Sequence, residues 1–435
     1  MRMKRFRVTL AARAFGTLAC VYAVSLACTS KPYAPATAGA TSAAEGGSGP
    51  SPATPAEEAW IPTWVSTQQP TSPENMPPAP GLAGATLRQI AQPALGGRRV
   101  RVGFSNRFGE GPLGLRAAHI APAQGGAAIS AAGASVTFDG QPSVIVQQGA
   151  SVLSDPVDMP VRAFENLAVT AAFDALPQSV TGHAGSRTRS FLQPGVDVSA
   201  ADLPGAVPVE HWYFLDRIDV WADARARAVV VLGDSITDGR GSTTDANNRW
   251  PNLLARRLLA EPATARVAVL NQGAGGNRVL RDGIGPNMLA RFDRDVLSVP
   301  RARWLVVLAG INDIGTATGA RARGEPAASA RELIAAYRQM LARAHDHGML
   351  VYGATLLPFE GFGAYYGPEA EADRQALNGW IRSGELDGVI DFDAAARDPG
   401  APTRLAPAVD GGDHLHPSAA GYRIMADSVD LALFR

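Results

Sequence analysis

The sequence predicts an α/β domain built on a parallel sheet, preceded by an antiparallel β-sandwich of jelly-roll type. Three observations predict it. Between Trp60 and about Trp221, short apolar runs are separated by turn signals, and long stretches of helical period are missing. After Arg225 continuous apolar runs take over, as expected of strands buried on both faces. Helical patterns lie between those runs, and strand–helix alternation of this kind gives a parallel sheet sandwiched by helices.

The chain has 435 residues, too many for one ordinary domain. Lys+Arg and Asp+Glu both number 40, so the formal charge is zero. Without a basic excess there is no electrostatic footprint for nucleic acid or for a polybasic membrane-surface binder. The two cysteines, Cys20 and Cys28, both lie near the start, which excludes a disulfide scaffold or a Cys-based zinc site in the body of the protein.

Residues 1–28 read as an export signal. Arg2, Lys4, Arg5 and Arg7 precede an apolar stretch from Val8 to Ala27 that is interrupted by Arg13 and Gly16. A permanent anchor is the weaker alternative, because Arg13 shortens the uncharged run below the ~18 residues usually needed. Leu26-Ala27-Cys28 looks like a bacterial lipoprotein processing site, with Ser25 where an aliphatic residue is usual, and Cys28 is the candidate lipidated residue. The expected location is periplasmic, outer-membrane-anchored or extracellular, with membrane contact only through that lipid. Residues 29–58, rich in Ala, Ser, Thr, Gly and Pro, read as a flexible tether.

The sandwich is expected over residues 59–224. Val100–Phe104 alternates with period two, Ser135–Phe138, Ser143–Val146 and Leu167–Thr170 are similar, and Gly96-Gly97 and Asp139-Gly140 punctuate them. The α/β domain is expected over 225–435. Its strands are read at Ala228–Leu232, Arg266–Leu270, Trp304–Leu308, Leu350–Ala354 and Val389–Phe392. Leu253, Leu254, Leu258 and Leu259 share one helical face, as do Leu333, Tyr337, Met340, Leu341 and Ala344. A last helix is expected to begin near Pro417 and to carry Tyr422, Met425 and Val429 inward.

In such sheets active residues gather beyond the carboxyl ends of the strands. Four polar clusters fall there: Gly233–Gly239, Asn271–Asn277, Gly310–Asp313 and, before the last helix, Asp413–Pro417. Acyl transfer is the chemistry they suit. A serine hydroxyl needs a base, and a histidine oriented by a carboxylate is the usual one. Ser235, His416 and Asp413 are the candidates, with Ser235 N–H, Gly276 N–H and the Asn312 side-chain amide as oxyanion donors. Taken singly, Ser235 reads as a cap, Gly276 as a turn, Asn312-Asp313 as a helix cap and His416 as a surface residue. Their joint position on one rim outweighs those readings. Asp413, His414 and His416 as metal ligands lack a third His/Cys cluster to complete a site. Gly273-Ala274-Gly275 opens like a dinucleotide fingerprint but has Arg278 at the last glycine. Gly233–Thr237 ends in Thr, so the G-x-S-x-G elbow is absent. Neither a metal nor a cofactor is expected.

These four motifs, in this order over about Val229–Arg435, resemble the SGNH (GDSL) hydrolase family of esterases and acylhydrolases, with Ile236 in place of the leucine of the family's name. The resemblance implies a flavodoxin-like three-layer fold, nucleophile Ser235, base His416, orienting Asp413, and oxyanion donors from Ser235, Gly276 and Asn312. Thr86–Gln89 and Arg101–Asn106 are similar to the β-domain of a two-domain branch of bacterial secreted esterases. An ester is then the expected partner: acetylated glycan, aryl or short-chain. Phe359, Phe362, Tyr365 and Tyr366, on the segment after the fourth strand, are the candidate substrate contacts, with packing of that loop on itself as the plainer reading. A glycan deacetylase using the sandwich for recognition and an inactive glycan-binding protein are the rival functions.

Overall fold

A computed structural model describes residues 57–435. The export signal, the Cys28 site and the tether up to residue 56 lie outside the described residues.

The first part is built from antiparallel ladders. One four-stranded sheet runs in the order Glu58–Val65, Leu215–Asp223, Arg99–Ser105, Ser151–Leu153. A larger sheet runs Val207–Val209, Ser190–Pro194, Ala85–Ala91, Leu167–Ala175, Leu113–Gly125, Ala128–Ile129. Val102, Phe104, Leu115, Val169 and Ile218 are buried in one apolar cluster between them. A small third sheet joins Trp212–Tyr213, Thr181–His183 and Gln69–Pro70. The long strand Leu113–Gly125 has no counterpart in the sequence reading. It is mostly Ala, Gly and Leu, without the β-branched alternation that marks a strand.

After a turn at 224–226 the chain enters a five-stranded parallel sheet. Its order is Val267–Gly273, Arg227–Gly233, Ala302–Leu308, Leu350–Ala354, Gly388–Ile390. Val229, Val230, Val231 and Leu232 are all fully buried; successive side chains point to opposite faces, so both faces are covered. The helices Trp250–Ala260 and Ala419–Ser428 pack together, and Ala330–Asp346 and Ile311–Ala322 each pack on Pro368–Ile381. The last helix starts at Ala419 rather than near Pro417, because the Ser418 side chain accepts from Gly421 N at 3.1 Å and caps it there. The second strand runs on through Asn271-Gln272-Gly273, so part of that polar cluster lies inside the sheet.

Strand order reverses between Arg227–Gly233 and Ala302–Leu308, and the crevice expected at such a point opens beyond their carboxyl ends. The sandwich packs against the same part of the molecule. Thr67 Oγ1 donates to Gln272 Oε1 at 2.8 Å, and the Arg256 guanidinium lies 4.7 Å from the Phe164 ring. The described residues form one compact unit.

Candidate active site

Ser235 opens a single helical turn, Ser235–Asp238, directly after the first strand of the parallel sheet. The turn is fixed at both ends. The Asp234 side chain accepts from Ile236 N at 3.0 Å, and Gly239 closes it with φ +103°. Burial pushes the Asp234 carboxyl up to about 7, against the opposing pull of the Ile236 N–H.

His416 reaches this turn from the loop before the last helix. The Ser235 Oγ–H faces His416 Nε2 at 2.8 Å. On the other side of the ring, Nδ1 lies 2.7 Å from Asp413 Oδ2. Because the carboxylate can only accept, the ring proton sits on Nδ1 and the Nε2 lone pair faces the hydroxyl. Asp413 is itself held in place, since its Oδ1 accepts from Leu415 N at 3.0 Å and His416 N at 2.8 Å. Burial holds the His416 pKa below the usual histidine value, although Asp413 pulls the other way. The imidazole is therefore neutral, and basic, at pH 7. For Asp413 burial acts upward, but the His416 backbone and ring bonds outweigh it and keep the carboxylate ionised.

The donors come from three elements. Among the described residues, neither Ser235 N–H nor Gly276 N–H has a hydrogen-bond acceptor. Gly276 sits at φ +66°, the left-handed region that favours glycine. Asn312 lies in the first turn of Ile311–Ala322. Its Nδ2 donates to Asn277 O at 3.0 Å and its Oδ1 accepts from Tyr365 OH at 3.0 Å, leaving one amide N–H unspent. Asp313 ties this helix to the glycine loop by accepting from Val279 N and Leu280 N at 2.8 and 3.0 Å. Arg291, fully buried, donates to Gly233 O, Gln272 O and Asn277 Oδ1 and so clamps the ends of two strands and the loop.

The aromatic candidates separate. Tyr365 acts on Asn312, while Phe362 packs on Tyr365 with ring centroids 5.1 Å apart. Phe359 is a correction: it is fully buried, 5.5 Å from the Tyr366 ring, and has no surface left for a substrate. Tyr366 is half-buried beside it. His414 turns away from His416 and bonds Asp410 Oδ2 at 2.6 Å. From the sandwich comes a contact that no local pattern announces: His183 Nε2 meets Asp238 Oδ1 at 2.9 Å, while its Nδ1 lies 2.9 Å from Thr67 O. Asp238 ends the turn that begins with Ser235, and a Cβ at the neighbouring Gly185 would collide with its carboxylate.

Residues 231–424 match the GDSL-like Lipase/Acylhydrolase family. No curated protein matches the chain. Among solved structures, Axe2, an acetylxylan esterase from Geobacillus stearothermophilus, is 22% identical, with 46% of this chain and 91% of that one covered and a TM-score of 0.36. A carbohydrate acetylesterase family member from Sinorhizobium meliloti is 18% identical, with 48% and 97% covered and a TM-score of 0.37. A GDSL-like lipase from Bacteroides thetaiotaomicron is 20% identical, with 46% and 84% covered and a TM-score of 0.34. The segment 231–424 belongs to the GDSL-like lipase/acylhydrolase family, and the protein that carries it is a carboxylic ester hydrolase.

Proposed function

We propose that the protein hydrolyses esters through an acyl-serine intermediate, with Ser235 as nucleophile, His416 as base and Asp413 as the group that orients it. The reading rests on one observation above the others: the unbroken Oγ···Nε2 and Nδ1···Oδ2 contacts of 2.8 and 2.7 Å. Ser235 Oγ attacks the ester carbonyl carbon as its proton passes to Nε2. The oxygen that gains the negative charge is met by Ser235 N–H, Gly276 N–H and the free Asn312 N–H. Collapse breaks the C–O bond, and the imidazolium gives its proton to the departing alcohol. Water then repeats the sequence on the acyl-enzyme, releasing the acid and restoring Ser235. The basic and apolar N-terminus supports export as the setting, so the substrate is one met outside the cytoplasm; mass spectrometry of the mature protein tests lipidation at Cys28.

Hydrolysis of p-nitrophenyl acetate tests the chemistry. Ser235→Ala and His416→Ala should each lower kcat by about 10⁴–10⁶, with the double variant little worse than either single one. Retention of activity in either single variant contradicts the assignment.

A further inference from the structure

We propose that the ester cleaved is carried by an anionic saccharide, whose carboxylate is held by Arg278 and Arg281 in the cleft beside the oxyanion donors. This rests on the ester-hydrolase reading above and names its substrate class. The cleft, of ≈ 430 Å³, is lined by Arg278, Arg281, Asp313, Thr316 and Tyr365, among others. Ser235, Gly276, Asn312 and His416 do not line it, but its lining adjoins the oxyanion donors. Arg278 is two residues beyond Gly276, Asp313 follows Asn312, and Tyr365 holds the Asn312 amide.

Two features of the lining decide what it fits. The first is charge. Arg281 Nη1 donates to Pro326 O at 2.7 Å and Arg278 donates to Asp282 O, so both guanidinium groups bond only backbone carbonyls. Neither forms an ion pair among the described residues, and neither does Arg240, which is exposed and whose backbone N–H donates to Ser235 O. Elsewhere on the same domain arginines are matched, as in Arg338–Glu385 and Arg404–Glu360, and within the cleft Arg323 is matched by Glu325, which leaves Arg278 and Arg281 as its unmatched guanidinium groups. Asp313 is buried, its oxygens accept from backbone N–H groups, and it forms no ion pair with either guanidinium among the described residues. A guanidinium with most of its five donors unspent is suited to two-point recognition of a carboxylate. The second feature is polarity. Apart from Tyr365 the wall is Arg, Asp, Thr, Gly, Ala, Glu and Pro, with no run of large apolar side chains to sheathe an acyl chain. A polar ring with a charge fits such a wall better than a lipid tail.

The wild-type enzyme should be assayed on p-nitrophenyl acetate, an acetylated neutral xylo-oligosaccharide, an acetylated uronate oligosaccharide of similar length and an anionic lysophospholipid. The expected result is a kcat/KM about tenfold or more higher for the uronate ester than for the neutral sugar ester. That ratio should shrink towards one when salt is raised from about 20 mM to about 500 mM, and also in Arg278→Gln/Arg281→Gln. Because both readouts are ratios, the salt series on wild type decides the question if the double variant does not fold. Equal rates on the two sugars, or a preference for the lysophospholipid, overturn the inference and leave the esterase reading standing. No hydrolysis of any of the four esters would instead count against the esterase reading.

Discussion

Two clusters of polar groups, one deep in the sandwich and one at the rim of the parallel sheet, are left in opposite states. In the sandwich, the cluster around Arg88 and Gln89 is bonded internally. Arg88, fully buried, donates to Thr170 Oγ1, Ala127 O and Ala200 O, and Gln89 both donates to Tyr213 O and accepts from Tyr213 N. At the rim of the parallel sheet the reverse holds. Among the described residues Ser235 N–H and Gly276 N–H have no acceptor, and one Asn312 N–H is unspent. Donors left free together on one rim are available to a developing negative charge. The bonded cluster builds architecture, and the free donors at the rim are placed where a charge can be met.

That contrast can be broken at several points. Asn312→Ala removes one unspent donor and should lower kcat by about 10²–10³ with little change in KM, measured on p-nitrophenyl acetate. A fall of less than threefold would mean the amide is structural only. His183→Ala tests the hydrogen bond by which the sandwich joins the reacting turn. The Asp238 carboxylate would lose its side-chain partner, and kcat should drop about tenfold together with a lower Tm. Arg88→Met, deep in the saturated region, should lower Tm through three abandoned acceptors and leave kcat of the folded fraction unchanged. If His183→Ala behaved like Arg88→Met, the sandwich would be scaffolding alone.

A smaller effect is expected from pH. His416 must be unprotonated to accept the Ser235 proton, and burial holds its pKa below the usual ~6.5. As pH falls, kcat/KM should therefore stay level through pH 7 and decline only below the ordinary histidine range. A decline centred above pH 7 would show that the ring is not held neutral as its surroundings require.

Local chemistry made part of this legible in the sequence. Continuous apolar runs such as Ala228–Leu232 are visible because a strand buried on both faces has no polar positions, and each polar cluster stands out because it follows such a run. The helix at Ala330–Asp346 could be read from its 3.6-residue spacing. What escaped depends on contacts between distant segments. Tyr365 meets Asn312 across 53 positions and His183 meets Asp238 across 55, and neither pair leaves a periodic trace. Arg278 and Arg281 gain meaning only once the fold shows that no carboxylate answers them. Phe359 resembled a loop aromatic because its segment follows a strand, yet the chain turns it inward against Tyr366.

The central claim is that Ser235 becomes acylated, and covalent trapping tests it most directly. Treating the native enzyme with an alkyl fluorophosphonate and mapping the adduct by peptide mass spectrometry should find a single modification, on Ser235, appearing in step with loss of esterase activity. Full inactivation with Ser235 unmodified, or stoichiometric labelling of Ser235 with activity intact, would contradict it.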